Sequence, residues 1–319
     1  MLQLFFTKCR AATPPVLVAS ALLSLPAVAG TAAPTSAAHA AADPAPPASC
    51  PECENWNSTQ PPLRIYGNTY YVGVHGLTAL LITGSEGHIL IDGGLAESAP
   101  KIAASIRALG FKVEDVKLLL NSHVHYDHAG GLAELQRLSG ARAAASAPAA
   151  AVLASGRSGT DDPQHSSLRA IAPLAHVSVV ADGATVHLGK LSLQAHLTPG
   201  HTPGGTTWTW LSCEAGHCVH MVYADSLTAV AAPGYRFTEH PQIVASFERS
   251  FHSLEQLPCD VLVTPHPEAS DLWGRVHNSE QGAGDAAFID PGACRDYAAQ
   301  AREGLRQRLA SESPRQGKP

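Results

Sequence analysis

Residues 121–131 read Asn-Ser-His-Val-His-Tyr-Asp-His-Ala-Gly-Gly, setting three histidines and one aspartate into six positions as His123-x-His125-x-Asp127-His128. Neutral imidazole suits zinc, and one carboxylate among nitrogen donors is ordinary at a zinc site that does chemistry. An apolar run, 116–120, leads into the motif, and a small-residue, helix-like stretch follows it. The motif therefore sits where a buried strand ends in a loop and a helix begins. Residues two apart at a strand end point the same way, so His123 and His125 can share one ion. Asp127 and His128 come after the turn and face a second position close by. With 17 His in the chain, a chance cluster in an exposed loop is the competing reading. The strand ahead of the motif and the Gly-Gly behind it argue against chance.

The elements that must hold this motif are legible on either side of it. Residues 63–68 and 69–74 read as strands with a Gly67-Asn68 turn, and 77–83 and 88–92 as two more around the hairpin loop 84–87. Residues 98–109 are amphipathic and end at Gly110, a C-cap. Beyond the motif, 130–138 continues as helix to Gly140, and 147–153 is a shorter one. Residues 156–175 are rich in Gly, Asp and Ser and read as a long loop carrying Gln164 and His165, the kind of loop that is often functional. The second half repeats the logic. Strand 191–197 runs into Thr198-Pro199-Gly200-His201-Thr202-Pro203-Gly204-Gly205, where Gly and Pro constrain His201. Strands 206–211 and 219–223 form a hairpin, the second ending in Ala224-Asp225-Ser226-Leu227-Thr228. Helix 241–257, a short strand 261–264 ending at Pro265-His266-Pro267, and a last helix 291–309 complete the chain, with a polar tail over 311–319. Strands alternating with helices in two comparable halves make a layered α/β sandwich.

At 319 residues, 45% hydrophobic and 15% charged, the chain is long enough for one large domain with a sizeable core. The formal charge of −6 and the absence of basic blocks exclude nucleic acid as a natural partner. Lys8 and Arg10, an apolar stretch at 16–25 and the small-x-small Ala27-Val28-Ala29 make residues 1–29 a signal peptide. Its apolar run is too short and too Pro-interrupted to span a membrane. Residues 30–59 are an Ala/Pro-rich leader, partly disordered, and 60–310 the folded domain. Export places the mature chain in the periplasm, with no membrane attachment after signal removal. Cys9 lies in the signal, leaving six cysteines, an even number that in an exported chain suggests disulfides. Cys213 and Cys218 flank a short turn and can pair across the hairpin; Cys259 and Cys294 would then close a C-terminal loop. Cys50 and Cys53 remain by elimination, with a zinc or redox pair as the alternative.

His-x-His-x-Asp-His followed by Gly-Gly resembles the signature of the metallo-β-lactamase superfamily. Three separated segments offer ligands: His123, His125 and His201 can hold one zinc, and Asp127, His128 and His266 a second. Asp127 is also placed to orient a hydroxide bridging the two zincs, or to relay its proton. Further blocks are similar to subclass B3 in particular: Arg64-Ile65-Tyr66-Gly67-Asn68-Thr69-Tyr70-Tyr71-Val72-Gly73, then 122–131, 198–208, 223–228, 259–267, Trp273-Gly274-Arg275 and Cys294-Arg295. The resemblance implies a four-layer αβ/βα sandwich with the dinuclear site at the sheet edges. It also implies a monomeric enzyme that hydrolyses penicillins, cephalosporins and carbapenems through the bridging hydroxide and gives antibiotic resistance. Ser226 and Thr228 would bind the substrate carboxylate, and Gln164 would line the cleft. Asp225 stands where other branches place a bridging aspartate and is expected not to ligate here. His75 replaces a cysteine that in some relatives pairs with an N-terminal one; a surface position is expected for it.

Two rivals stand beside this reading. One is another hydrolase of the same fold, a thioesterase or lactonase; the export signal and the lack of an added helical domain weigh against it. The other is a non-catalytic exported zinc-binding protein, against which the intact set of six ligands argues.

Overall fold

The computed structural model describes residues 50–313. The expected signal peptide, the leader up to residue 49 and the tail beyond 313 lie outside the described residues. A single helical turn, α1 (Cys53–Trp56), precedes a seven-stranded sheet. In chain order its strands are β1 (Leu63–Tyr66), β2 (Thr69–Tyr71), β3 (Leu80–Gly84), β4 (Gly87–Ile91), β5 (Val116–Leu120), β6 (Arg142–Ala145) and β7 (Val177–Val179), and they are also neighbours in that order. Pairing is antiparallel up to β4 and parallel from β4 to β7. Parallel neighbours need crossovers, and α2 (Ala99–Ala108), α3 (Tyr126–Ala129), α4 (Leu132–Ser139) and α5 (Ala147–Ser155) lie in them.

The second sheet has β8 (Thr185–Leu188), β9 (Leu191–Leu197), β10 (Thr206–Glu214), β11 (His217–Tyr223) and β12 (Val261–Val263), ordered β12-β11-β10-β9-β8. Helices α6 (Pro241–Gln256) and α8 (Ala293–Glu312) pack on its outer face, and α7 (Leu272–Asn278) follows β12.

Three apolar layers account for the sandwich, one of them lying between the second sheet and α6 and α8, where Val222 and Leu262 meet Phe247, Phe251 and Leu305. Leu80, Ile82, Ile89, Ile91, Leu118 and Leu120 meet Leu193, Trp208, Met221 and Val263 between the sheets. The alternate residues of the same strands, Leu81, Leu90 and Leu119, face Ile102, Ile106, Leu132, Leu135 and Leu153 on the helical side. Strands buried on both faces read as unbroken apolar runs, as in Leu118, Leu119 and Leu120 of β5. Each such side chain contributes about 1.5–3 kcal/mol by leaving water.

The structure departs from the sequence expectations at several places. Strands β6, β7 and β8 were not expected: Arg-Ala-Ala-Ala has no β-branched residue, and its strand state comes from pairing with β5. Helix α7 was likewise unforeseen. The helix expected from residue 130 begins at Leu132, behind the separate turn α3. Gly130 and Gly131 stand between them because backbone meets backbone there: a Cβ on Gly131 would lie 2.2 Å from the Gly93 carbonyl oxygen. The last helix runs past 310 to Glu312, whose buried carboxylate accepts hydrogen bonds from the Thr238 N–H at 2.9 Å and from Arg308 at 2.6 Å. The residues just after 310 are therefore anchored.

All three expected disulfides are present, Cys50–Cys53, Cys213–Cys218 and Cys259–Cys294. The last spans 35 residues and ties the strand-leading Cys259 to α8. Loop-closure entropy assigns it roughly 2–4 kcal/mol. Replacing both cysteines by serine is expected to lower the unfolding free energy obtained from urea titration by that amount; an unchanged value would show that α8 is held by packing alone.

Candidate metal centre

Three loops leave strand ends and meet at the seam between the sheets. β5 leads into Asn121 and Ser122, which are pinned to the other sheet: the Asn121 carbonyl accepts Trp208 Nε1–H at 2.9 Å, and the Ser122 carbonyl accepts the Thr206 N–H at 2.8 Å. His123 and His125 follow, with ring centroids 4.7 Å apart. His125 precedes α3, whose first turn presents Asp127 and His128. The loop from β9 to β10 brings His201 to 4.8 Å from His123 and 5.0 Å from His125. The segment after β12 brings His266 to 4.8 Å from His128. Thr78 fastens that segment, its N–H donating to the Pro265 carbonyl at 2.8 Å and its hydroxyl to the Thr264 carbonyl at 2.7 Å.

The six side chains fall into two groups, His123–His125–His201 and Asp127–His128–His266, and within each group the donor atoms lie within 4.8 Å of one another. In four of the five histidines the nitrogen turned away from the seam has an acceptor as partner; His128 Nδ1 is buried without one. His123 Nδ1 is 2.8 Å from Asp225 Oδ1, His125 Nε2 3.1 Å from Asp162 Oδ2, and His201 Nδ1 2.8 Å from the Thr228 carbonyl oxygen. His266 Nδ1 lies 3.3 Å from the Gly76 carbonyl. A nitrogen facing an acceptor carries the proton, so the other nitrogen presents a lone pair. His123 Nε2 is that other nitrogen: it is buried and has no hydrogen-bond partner. A buried acceptor left without a donor is costly in a protein and apt for a metal ligand.

The electrostatics agree. Burial, then the neighbouring imidazoles, pushes His123 well below the usual imidazolium range; the same causes bring His201 to about 3. Both rings are neutral at physiological pH, as ligation requires. Burial would raise Asp127, but His128 and hydrogen bonds from His128 and His266 outweigh it, and its carboxyl is held well below the usual range. Asp127 Oδ2 stands 3.3 Å from His128 Nε2 and 3.5 Å from His266 Nε2. Burial raises Asp225 well above the carboxylate range, so a cation on the far side of His123 is what would favour its charged form. Nitrogen donors with one carboxylate, in two convergent groups, fit zinc.

The other expected residues are placed unevenly. Thr228 lies on the rim, its carbonyl on His201 and its side chain exposed. Ser226 is buried after β11, and the Gln164 amide stands 3.4 Å from His201 Nε2. His165 is turned into its own loop, 3.0 Å from the Ser158 carbonyl oxygen. His75 is exposed, as expected, and stacks on Trp273 at 5.0 Å. Asp225, expected not to ligate, serves as a hydrogen-bond partner of His123.

Two acidic residues of the site escaped sequence reading. Asp92 is fully buried and accepts hydrogen bonds from the Ser122 N–H, the Ser122 hydroxyl and the Tyr223 hydroxyl, all at 2.7 Å. Asp162 holds His125 and also accepts the Gln164 N–H at 2.8 Å. Its only signal was membership of the long polar loop. Removing such a partner weakens metal binding by about 10–100-fold. Asp162→Ala is therefore expected to lose zinc to a chelator that the unaltered protein resists; equal retention would show that His125 is oriented without it.

Comparison with known proteins agrees with this geometry. The family model described as the metallo-beta-lactamase superfamily matches residues 72–266. The chain is similar to the Rm3 metallo-beta-lactamase, at 55% identity over 83% of this chain and 99% of that one, with a TM-score of 0.81. It is similar to MEM-A1, a subclass B3 metallo-beta-lactamase from a soil metagenome library, at 51% identity over 81% and 98% of the two chains, with a TM-score of 0.79. A third similar structure is the metallo-beta-lactamase SMB-1 bound to 2-mercaptoethanesulfonate, at 50% identity over 81% and 99%, with a TM-score of 0.79.

Proposed function

This chain belongs to the metallo-β-lactamase superfamily, as a hydrolase of subclass B3, and from that premise we propose that it hydrolyses penicillins, cephalosporins and carbapenems with two zinc ions. His123, His125 and His201 would hold one ion, and Asp127, His128 and His266 the other. The observation that carries the reading is the pair of convergent donor groups on one seam, with the outward nitrogens of His123, His125 and His201 occupied by acceptors. Zinc bound there supplies a nucleophile from water at neutral pH and positive charge for the carbonyl oxygen and the departing nitrogen.

The chain's own groups do the rest. Asp127 stays ionised beside His128 and His266, and we assign to its carboxylate the orientation of the attacking water and the relay of its proton. We assign to it also the return of that proton to the ring nitrogen as the C–N bond breaks. The Ser226 and Thr228 hydroxyls donate to the substrate carboxylate and orient the ring. Gln164, over His201, contacts the substrate from the other side. Among the described residues no helix is long and apolar enough to cross a membrane. We read the protein as a periplasmic monomer, exported by residues 1–29, whose activity gives resistance.

Asp225 turns its Oδ1 to His123 Nδ1, which counts against the thioesterase or lactonase reading with a bridging aspartate. The test is hydrolysis of nitrocefin and imipenem by the purified zinc-loaded protein. Turnover is expected on both. Ser226→Ala with Thr228→Ala is expected to raise KM by about a hundredfold or more, since each hydrogen bond to a charged group is worth roughly 1.5–3 kcal/mol, with kcat less affected. Zinc without β-lactam turnover would sink the reading and move the search to thioesters and lactones.

A further inference from the structure

His266 is the least protected of the six proposed ligands. Its side chain is 33% exposed, against 0% for His123, 4% for His125 and 1% for His128. It stands between two prolines, and the acceptor facing its outward nitrogen, the Gly76 carbonyl, is a long 3.3 Å away. What covers its ring comes from far away in sequence: the Trp56 indole, centroid to centroid 5.1 Å and inclined at 52°.

Trp56 closes the turn α1, which is too short to persist on its own hydrogen bonds. The turn is held from three sides. The Trp56 carbonyl accepts the Gly76 N–H, and the Ser58 carbonyl accepts the His75 N–H, each at 2.9 Å. Asn57 receives the Ser98 hydroxyl at 2.8 Å and the Lys101 ammonium. Cys50–Cys53 closes the turn itself. Gly76 joins the two halves of this device: its N–H binds Trp56, its carbonyl faces His266, and a Cβ on it would stand 2.7 Å from the Trp56 Cα. The approach of Trp56 to the loop that faces His266 thus leaves no room for a side chain there.

We propose that Trp56 is a positioning residue for His266, and that the Cys50–Cys53 disulfide secures the turn that presents it. The indole restricts the ring of the one exposed ligand to the orientation its metal position needs. The disulfide does its part by limiting the freedom of a one-turn segment that belongs to neither sheet. The inference rests on the reading of His266 as a ligand.

The test is competition for zinc between the full-length protein and a chromophoric chelator, which resolves two affinities. Trp56→Ala is expected to weaken one site by about 10–100-fold, in line with the loss of other ligand-orienting partners, and to leave the second within about twofold. Trp56→Phe keeps a ring and should recover most of the loss. Cys50→Ser with Cys53→Ser should weaken the same site to a smaller extent. His266→Ala identifies which site that is, and adding Trp56→Ala to it should cause no further loss. Two wild-type affinities in Trp56→Ala, equal weakening of both sites, or a full additional loss on the His266→Ala background would each overturn the inference while leaving the two-zinc reading intact. A wild-type protein that binds a single zinc would overturn both.

Discussion

Stripping zinc with a chelator is expected to lower β-lactam hydrolysis by on the order of a thousandfold or more, and added zinc should restore it. The metal's charge stabilisation is worth several kcal/mol, and each 1.4 kcal/mol or so is a decade of rate. A second signal should accompany the loss. The six donors converge in the folded state and not in the open chain, so zinc held by them would stabilise the fold. At free zinc of 100–1,000 times Kd this linkage adds about 3–4 kcal/mol. For a domain of this size that moves the thermal midpoint by roughly 5–15 °C. The midpoint distinguishes a metal that does chemistry and organises the seam from one that merely happens to bind. Undiminished turnover in chelator would remove zinc from the mechanism. Lost turnover with an unmoved midpoint would place the catalytic ion somewhere other than in this buried cluster.

Asp127→Asn is expected to have the largest effect of any single substitution. Asparagine keeps the size of the side chain, so the turn α3 and the buried contacts around it survive. What it loses is the negative charge and the ability to take a proton. A positioned base contributes about 10²–10⁴-fold, and kcat should fall by that factor. The donor group that Asp127 shares with His128 and His266 also loses its one carboxylate, so zinc stoichiometry should fall toward one per chain at limiting metal. The two effects separate at saturating zinc. If kcat recovers there, Asp127 is a ligand only; if it stays low with both ions bound, the carboxylate carries the proton. A variant within tenfold of the wild type under all conditions would exclude Asp127 from the reaction.

The two convergent donor groups were legible in the sequence because donors at a strand end are written in local spacing. His123 and His125 are two apart where a buried strand stops, and Asp127 and His128 fall in the next helical turn. His201 and His266 could be added because each follows a strand and sits among glycine or proline. The layers were legible for a similar reason: the runs at 80–82, 89–91 and 118–120 are apolar on both faces of the pleat, which only a doubly covered sheet can satisfy. The expected disulfides followed from an even number of cysteines and one hairpin turn.

What only the tertiary structure decided is which polar groups stand behind the ligands. Asp225 reaches His123 across 102 positions and Asp162 reaches His125 across 37. Neither has a period or a neighbour in sequence that marks it. Aspartates 161 and 162 are adjacent and chemically identical, yet one is exposed and the other 4% exposed against a histidine. The strand β6 belongs with these, since the state of Arg-Ala-Ala-Ala follows from pairing with β5 and β7 rather than from its own side chains. Trp56 against His266 is the extreme case, a contact between a one-turn helix near the start of the described chain and the last ligand of the site. By itself the sequence determined the donors and the two-faced core, because both obey the short periods of strand and helix. Folding determined how those donors are oriented, because the groups that orient them come from distant loops that meet only when the two sheets close on each other.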